Sequence, residues 1–203
     1  MARNLWFKIL RKTMDIKNLS IVRQSFANTV FTHKVQEVAA ENQERNLFKV
    51  KVANIVLVGA VLVLLVLQAS NPGNLLFSYL AAGITIAEII FLIIQLSFSF
   101  EQRVVMHKNS ALKYMGLRDS YRSLIVDIMN ASMTTDILIA KRELLQREYQ
   151  IISDLAPQTG DKEYDEAQIR LNKRGVIEGE EFTWSDEEID RFLPENLRLN
   201  KNN

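Results

Sequence analysis

The chain has no cysteine, three prolines, seven glycines and two histidines among 203 residues. Without cysteine there are no disulfides, thiolate nucleophiles or cysteine metal sites. His33 and His107 stand alone, with no acid–nucleophile spacing around them, and two lone histidines do not make a metal site. The nearest candidates for a phosphate loop, "RGVIEGEEF" and "AAGITIA", lack both the lysine and the strand-to-helix context. "DEEID" reads as a solvated helix start. Basic residues do not interleave with exposed aromatics, so nucleic-acid binding is not indicated. The expectation is a non-enzyme with no catalytic residue, no cofactor and no metal.

Charge is also missing from one long stretch. Residues 52–87 contain no Asp, Glu, Lys or Arg. Val52–Ala69 is 18 apolar-rich residues, about 27 Å as a helix, which matches the hydrocarbon thickness of a bilayer. "SNPGN", residues 70–74, is turn chemistry, with Pro presetting φ and Gly permitting φ > 0. Leu75–Phe100 is long enough to span with tilt. The pattern predicts a two-helix membrane hairpin with spans 52–69 and 75–100. Arg45, Lys49 and Lys51 precede the first span, Arg103, Lys108 and Lys113 follow the second, and the loop has no cation. Both termini are therefore expected in the cytoplasm.

Glu88 breaks the second span. An ionised carboxylate at that depth costs about 2.5–3.5 kcal/mol on insertion scales. Steps of three and four residues through Ser78, Ala81, Thr85, Glu88, Leu92, Gln95 and Ser99 trace one helix face, and six of the seven are polar or small. Counted outward from Pro72, Asn54 and Glu88 fall at similar depth, so Asn54 is placed to donate a hydrogen bond to Glu88 within the chain or across a subunit interface. Two readings follow. In one, several copies assemble and the Ser78–Ser99 stripe lines a water-filled path whose carboxylates favour cations. In the other, an uncharged Glu88 joins helices through Asn54. The regularity of the stripe favours the first, with Glu88, Asn54, Thr85, Gln95, Ser78 and Ser99 as pore-lining or gating residues.

Outside the hairpin the sequence reads as helix. Residues 1–19 form a basic segment, read as a short surface helix carrying Trp6 or as a frayed terminus, and not as a signal peptide. Over 20–48, Val22, Phe26, Val30, Phe31, Val35 and Val38 give an apolar face. Across 101–155, a heptad-like seam runs from Tyr114 through Leu117, Tyr121, Leu124, Ile128, Ala131, Thr135, Leu138, Arg142, Leu145 and Tyr149 to Ile152. "NASMTT", 130–135, holds poor helix formers and marks a potential break. Pro157 and Gly160 end the helical region, and 156–203 reads as an acidic tail. The charge is split accordingly. Residues 1–153 carry 18 Lys and Arg against 11 Asp and Glu, and residues 154–203 carry 7 against 13. The basic part suits anionic lipid. In the tail, "TWSDEEIDRFL" predicts a short helix with Ser185 as N-cap, Glu188 as its reciprocal partner and Trp184 stapled onto Ile189. Trp184, Phe192 and Leu193 are its candidate docking residues, either on the chain's own bundle or on a partner.

The layout, and "FEQRVVMHKNSALKYMGLRDSYRSL" after the second span, resemble the bacterial SLATT family of two-transmembrane effectors associated with nucleotide synthases and SLOG proteins. Ala111, Tyr114, Leu117, Tyr121, Arg122 and Leu124 carry the resemblance, which covers roughly residues 20–150. It implies an antiphage effector that permeabilises the bacterial inner membrane as a homo-oligomer. It also implies a separate signalling system: a cyclic-oligonucleotide synthase, a SLOG protein or a reverse transcriptase. No sensor domain is recognisable in the chain. The expected fold is all-α, an integral membrane hairpin with a cytoplasmic helical bundle over 20–155. The rival function is a non-conducting anchor that recruits a soluble partner through the tail. A constitutive transporter is disfavoured by the single hairpin and its lone buried acid.

Overall fold

The computed structural model describes residues 15–98, 100–173 and 183–199. Every regular element among them is helical. The elements are α1 (Ile16–Ser70), α2 (Leu76–Phe98), α3 (Phe100–Met129), α4 (Thr135–Leu155), α5 (Asp161–Leu171), α6 (Asp186–Asp190) and a final 3₁₀ turn (Glu195–Leu197). The protein is all-α, as expected. The basic N-terminal segment with Trp6 lies outside the described residues. Residues 1–38 with 107–203 form one compact unit, and residues 39–106 form a second.

The first unit is a bundle built on α1, α3 and α4. Asp15 starts α1 by accepting the Asn18 N–H at 3.1 Å. Hydrogen bonds from Asn18 hold the Asp15 carboxyl below the usual carboxylate range. The sequence reading began this helix later, at residue 20, because it overlooked Asp15 as a cap. Leu19, Val22, Phe26, Val30, Phe31, Val35 and Val38 are buried along one face. Opposite them, α3 buries Tyr114, Leu117, Tyr121, Leu124, Ile125 and Ile128, and α4 buries Leu138, Leu145 and Ile152. Each such aliphatic side chain contributes about 1.5–3 kcal/mol by leaving water.

The heptad-like seam is not one continuous helix. The chain turns at residues 130–134, and α4 folds back along α3. Tyr114 and Ser153 hydroxyls lie 2.8 Å apart, and the Tyr114 and Tyr149 rings meet at 5.6 Å. The two halves of the seam therefore face one core from opposite sides. Ala131 is exposed in the turn, and Thr135 is exposed at the start of α4. Arg142, the other irregular seam position, donates to Asn18 at the start of α1.

Two features of the C-terminal part went beyond the sequence reading. An additional helix, α5, occupies what read as polar tail. Glu163 accepts the Gly160 N–H at 3.1 Å, and a Glu166–Arg170 pair at 2.6 Å spans one turn. Ala167 is fully buried, and the Tyr164 ring packs edge-on against Phe31 at 4.8 Å. The predicted box on α6 is present. Ser185 Oγ accepts the Glu188 N–H at 3.3 Å, and Glu188 Oε2 accepts the Ser185 N–H at 2.9 Å.

The second unit is the hairpin. The last part of α1 and α2 run antiparallel through a turn at residues 71–75. Gly73 does not lie in the left-handed region. The turn is held by asparagines instead: Asn74 N–H donates to Asn71 O at 3.0 Å, Asn71 Nδ2 to Leu67 O at 3.1 Å, and Leu76 N–H to Asn74 Oδ1 at 3.1 Å. Asn74 thus caps α2.

Candidate transmembrane site

Both hairpin helices are long and apolar enough to cross a membrane. Their exposed surface is aliphatic. Ile55, Val56, Leu62, Val63 and Val66 on α1, and Leu80, Ile86, Ile89, Ile90 and Ile93 on α2, stand outward. This is the solution a bilayer imposes, since lipid replaces water around the outer face.

The inner face of α2 carries the polar stripe. Ala81 is buried, and Ser78, Thr85, Glu88 and Gln95 are half-buried in a helix whose other positions are mostly exposed. Thr85 Oγ1 donates back to Ala81 O at 2.9 Å, so its hydroxyl is satisfied within the helix. Leu92, at 38% exposure, sits at the edge of the stripe. Ser99 lies outside the described residues.

Two contacts set the register. Gln68 Oε1 accepts the Ser78 N–H at 3.1 Å near the tip, and Lys51 Nζ meets Glu101 Oε1 at 2.7 Å at the base. The Lys51 ammonium holds the Glu101 carboxyl below the usual carboxylate range, through its hydrogen bond first and its charge second. Between these anchors Asn54 falls level with Gln95, and Glu88 falls level with the turn of α1 around Ala60. A groove of about 590 Å³ lined by Val50, Lys51, Leu92, Gln95 and Glu101 agrees with this register.

Within one chain this register separates Asn54 from Glu88. Among the described residues no hydrogen bond joins them. Counting from Pro72 misplaced the axis of the hairpin, because the turn extends to Leu75 and α2 is entered late. The slip is about six residues, roughly 9 Å of helix. What the register brings together is Asn54 and Gln95. Asn54 Oδ1 and Gln95 Nε2 are both buried without a hydrogen-bond partner in the chain. Both amides therefore lie on the shielded inner side of the hairpin.

The other sequence-selected residues lie in the first unit. Ala111, Tyr114, Leu117, Tyr121 and Leu124 are core residues. Burial pushes the Tyr121 phenol up to about 12, against a smaller opposing effect of Ser25, which is near but not aligned as a hydrogen-bond partner. Arg122 is half-exposed and pairs with Asp119 at 3.3 Å. Trp184 and Leu193 are buried, and Phe192 packs its ring against Trp184 at 5.8 Å. All three dock on the chain's own bundle. Sequence reasoning missed Arg23, which is 1% exposed under the tail and bonded to Asp190 at 2.7 Å. Its only signal was a cation next to Val22 on an otherwise apolar face.

A helical membrane protein with two spans and a separately packed bundle is the class these features define. Its family is equally clear. Residues 19–188 match the profile of SMODS and SLOG-associating 2TM effector domain family 4, and the chain belongs to that family. The family consists of two-transmembrane effectors of conflict systems and is not a known enzyme family. The match ends at Glu188, so it includes the capped start of α6 and reaches beyond the roughly 20–150 that the resemblance covered. No curated protein and no solved structure matches the chain.

Proposed function

We propose that the protein is a pore-forming effector of an antiphage system. Several copies assemble in the bacterial inner membrane with both termini cytoplasmic. Activation opens a path lined by the Ser78–Gln95 face, and the cell depolarises and arrests or dies. Glu88 sets the charge preference of that path. The family name points to SMODS or SLOG partners as the source of the signal, and the chain's bundle and tail are where such a signal would act.

The unpaired Asn54 and Gln95 groups carry this reading. Inside a bilayer an unsatisfied polar group costs several kcal/mol. In the closed chain both atoms are shielded, and a rearrangement that opens a hydrated path, or brings a neighbouring copy against them, would satisfy them. The rival reading, an anchor that recruits a partner through Trp184, Phe192 and Leu193, is less well supported, because the chain's own bundle occupies those side chains.

A membrane-potential dye during induced expression tests the proposal, with ion flux into liposomes as the purified counterpart. Glu88→Ala is expected to insert normally and either to lose depolarisation or to shift the reversal potential. Unchanged toxicity together with an unchanged reversal potential refutes a pore role for Glu88.

A further inference from the structure

Three polar side chains on one side of α1, from Arg23, Gln24 and Asn28, are directed at the tail. Arg23 Nη2 donates to Asp190 Oδ1 at 2.7 Å and to Asp186 Oδ1 at 3.3 Å, and Arg23 Nη1 donates to Leu197 O at 3.4 Å. Gln24 reads main chain. Its Nε2 donates to Trp184 O at 2.6 Å, and its Oε1 accepts the Trp184 N–H at 3.0 Å. One turn on, Asn28 Oδ1 accepts the indole Nε1–H of Trp184 at 2.8 Å. Phe31 packs edge-on against the same indole at 5.9 Å, and the Lys173 ammonium lies 4.5 Å from its ring centre. Together these groups recognise an indole, the peptide unit that carries it, and carboxylates two and six residues later. That is the way a groove reads a peptide: main-chain bonds for affinity and side-chain pockets for specificity.

The segment that fills the groove cannot hold its own shape. It is a five-residue helix and a single 3₁₀ turn, both far shorter than an isolated helix needs. Its order comes from docking. Trp184, Ile189, Leu193 and Leu197 supply the apolar hold. The ionic part is close to neutral in balance, because Arg23 and the two aspartates return to water when they separate. Release therefore strands no charge.

We propose that Arg23, Gln24 and Asn28 form a peptide-recognition site for an acidic, tryptophan-led helix start. Residues 183–199 fill it in cis as a releasable latch, and the partner it fits is the same segment of a second copy. Exchange of tails between copies then couples release to assembly. This last consequence rests on the oligomeric pore reading, whereas the site itself does not.

The test uses the full-length protein in detergent and a fluorescein-labelled peptide of residues 183–199. Trp184→Ala in the protein weakens the cis tail but leaves Arg23, Gln24 and Asn28 intact. Peptide binding by anisotropy is expected to be at least about tenfold tighter for Trp184→Ala than for the unaltered protein, where the tethered tail competes at high effective concentration. Adding Arg23→Gln and Asn28→Ala to Trp184→Ala is expected to abolish binding. Asp186→Asn with Asp190→Asn is a second way to weaken the cis tail if Trp184→Ala lowers the thermal midpoint too far. Equal affinity for latched and unlatched proteins, or no binding to either unlatched protein while its melt stays cooperative, overturns the site. Liposome leakage by the unlatched proteins reports the pore reading separately. Tight peptide binding without leakage retains the site and removes the coupling to conduction.

Discussion

Replacing Ala131 by glycine should make the protein more stable. Ala131 has φ = 48°, in the left-handed region, where it closes the end of α3. Its N–H donates to Ile128 O at 3.0 Å, and the next N–H, of Ser132, reaches back five residues to Asp127 O at 3.0 Å. This geometry is normally given to glycine, because an L side chain there crowds the carbonyl. The cost to alanine is about 1–2 kcal/mol. Glycine gives back about 0.4–1 kcal/mol through the greater freedom of the unfolded chain. Ala131 is exposed, so losing its methyl group removes no packing. The net expectation is a gain on the order of 1 kcal/mol, or roughly 2–4 °C in melting temperature for a chain of this size. Ala131→Val should move the other way, since a β-branched residue tolerates positive φ worst. Thermal unfolding in detergent, followed by circular dichroism, measures both. A glycine variant no more stable than the parent, with a valine variant no less stable, would refute the left-handed turn and with it the fold-back of α4 on α3.

Leu117 of α3 is fully buried in the bundle core, so Leu117→Ala should cost about 2–5 kcal/mol and lower the melting temperature sharply. Arg122→Ala, made on the same helix and removing only a half-exposed pair, should leave the melt close to that of the parent. His33 is half-buried beside Glu37, Lys34, Arg118 and Asp119, and burial holds its pKa below the usual 6.5. As pH falls through 6.5, the unfolded chain takes up a proton that the folded chain refuses, so stability should fall from about pH 7 to pH 5.5. In His33→Gln that decline should flatten, and urea midpoints across the range would show it. A slope identical to the parent's would mean the His33 site does not discriminate against the proton.

The parts of the fold that were legible in the sequence are those where one period dominates. The face from Val22 to Val38 and the stripe from Ser78 to Gln95 follow helical spacing without competition, and both lie where the spacing put them. Ser185 and Glu188 were legible because a capping box is a local code. The depth of Asn54 was not, because register depends on how many residues the turn consumes, and asparagine bonds rather than glycine geometry decide that here. Arg23 was hidden for a different reason. A cation on an apolar face reads as a surface residue until the segment that buries it, more than 160 positions later, is in place. α5 was missed because its composition is mostly polar and its few apolar residues trace no long face, and what fixes it is the packing of Tyr164 and Ala167.

The tip of the hairpin bears on how the chain enters a membrane. The first N–H groups of α2, which a helix start leaves without partners, are taken up by Asn74 and Gln68 from within the hairpin itself. No charge lies anywhere from residue 52 to residue 87. The tip of the hairpin therefore carries no ion to dehydrate and brings its own hydrogen-bond partners for its most exposed peptide groups. A hairpin with such a tip is suited to enter a bilayer as one unit, its apolar length bounded by Lys51 and Arg103.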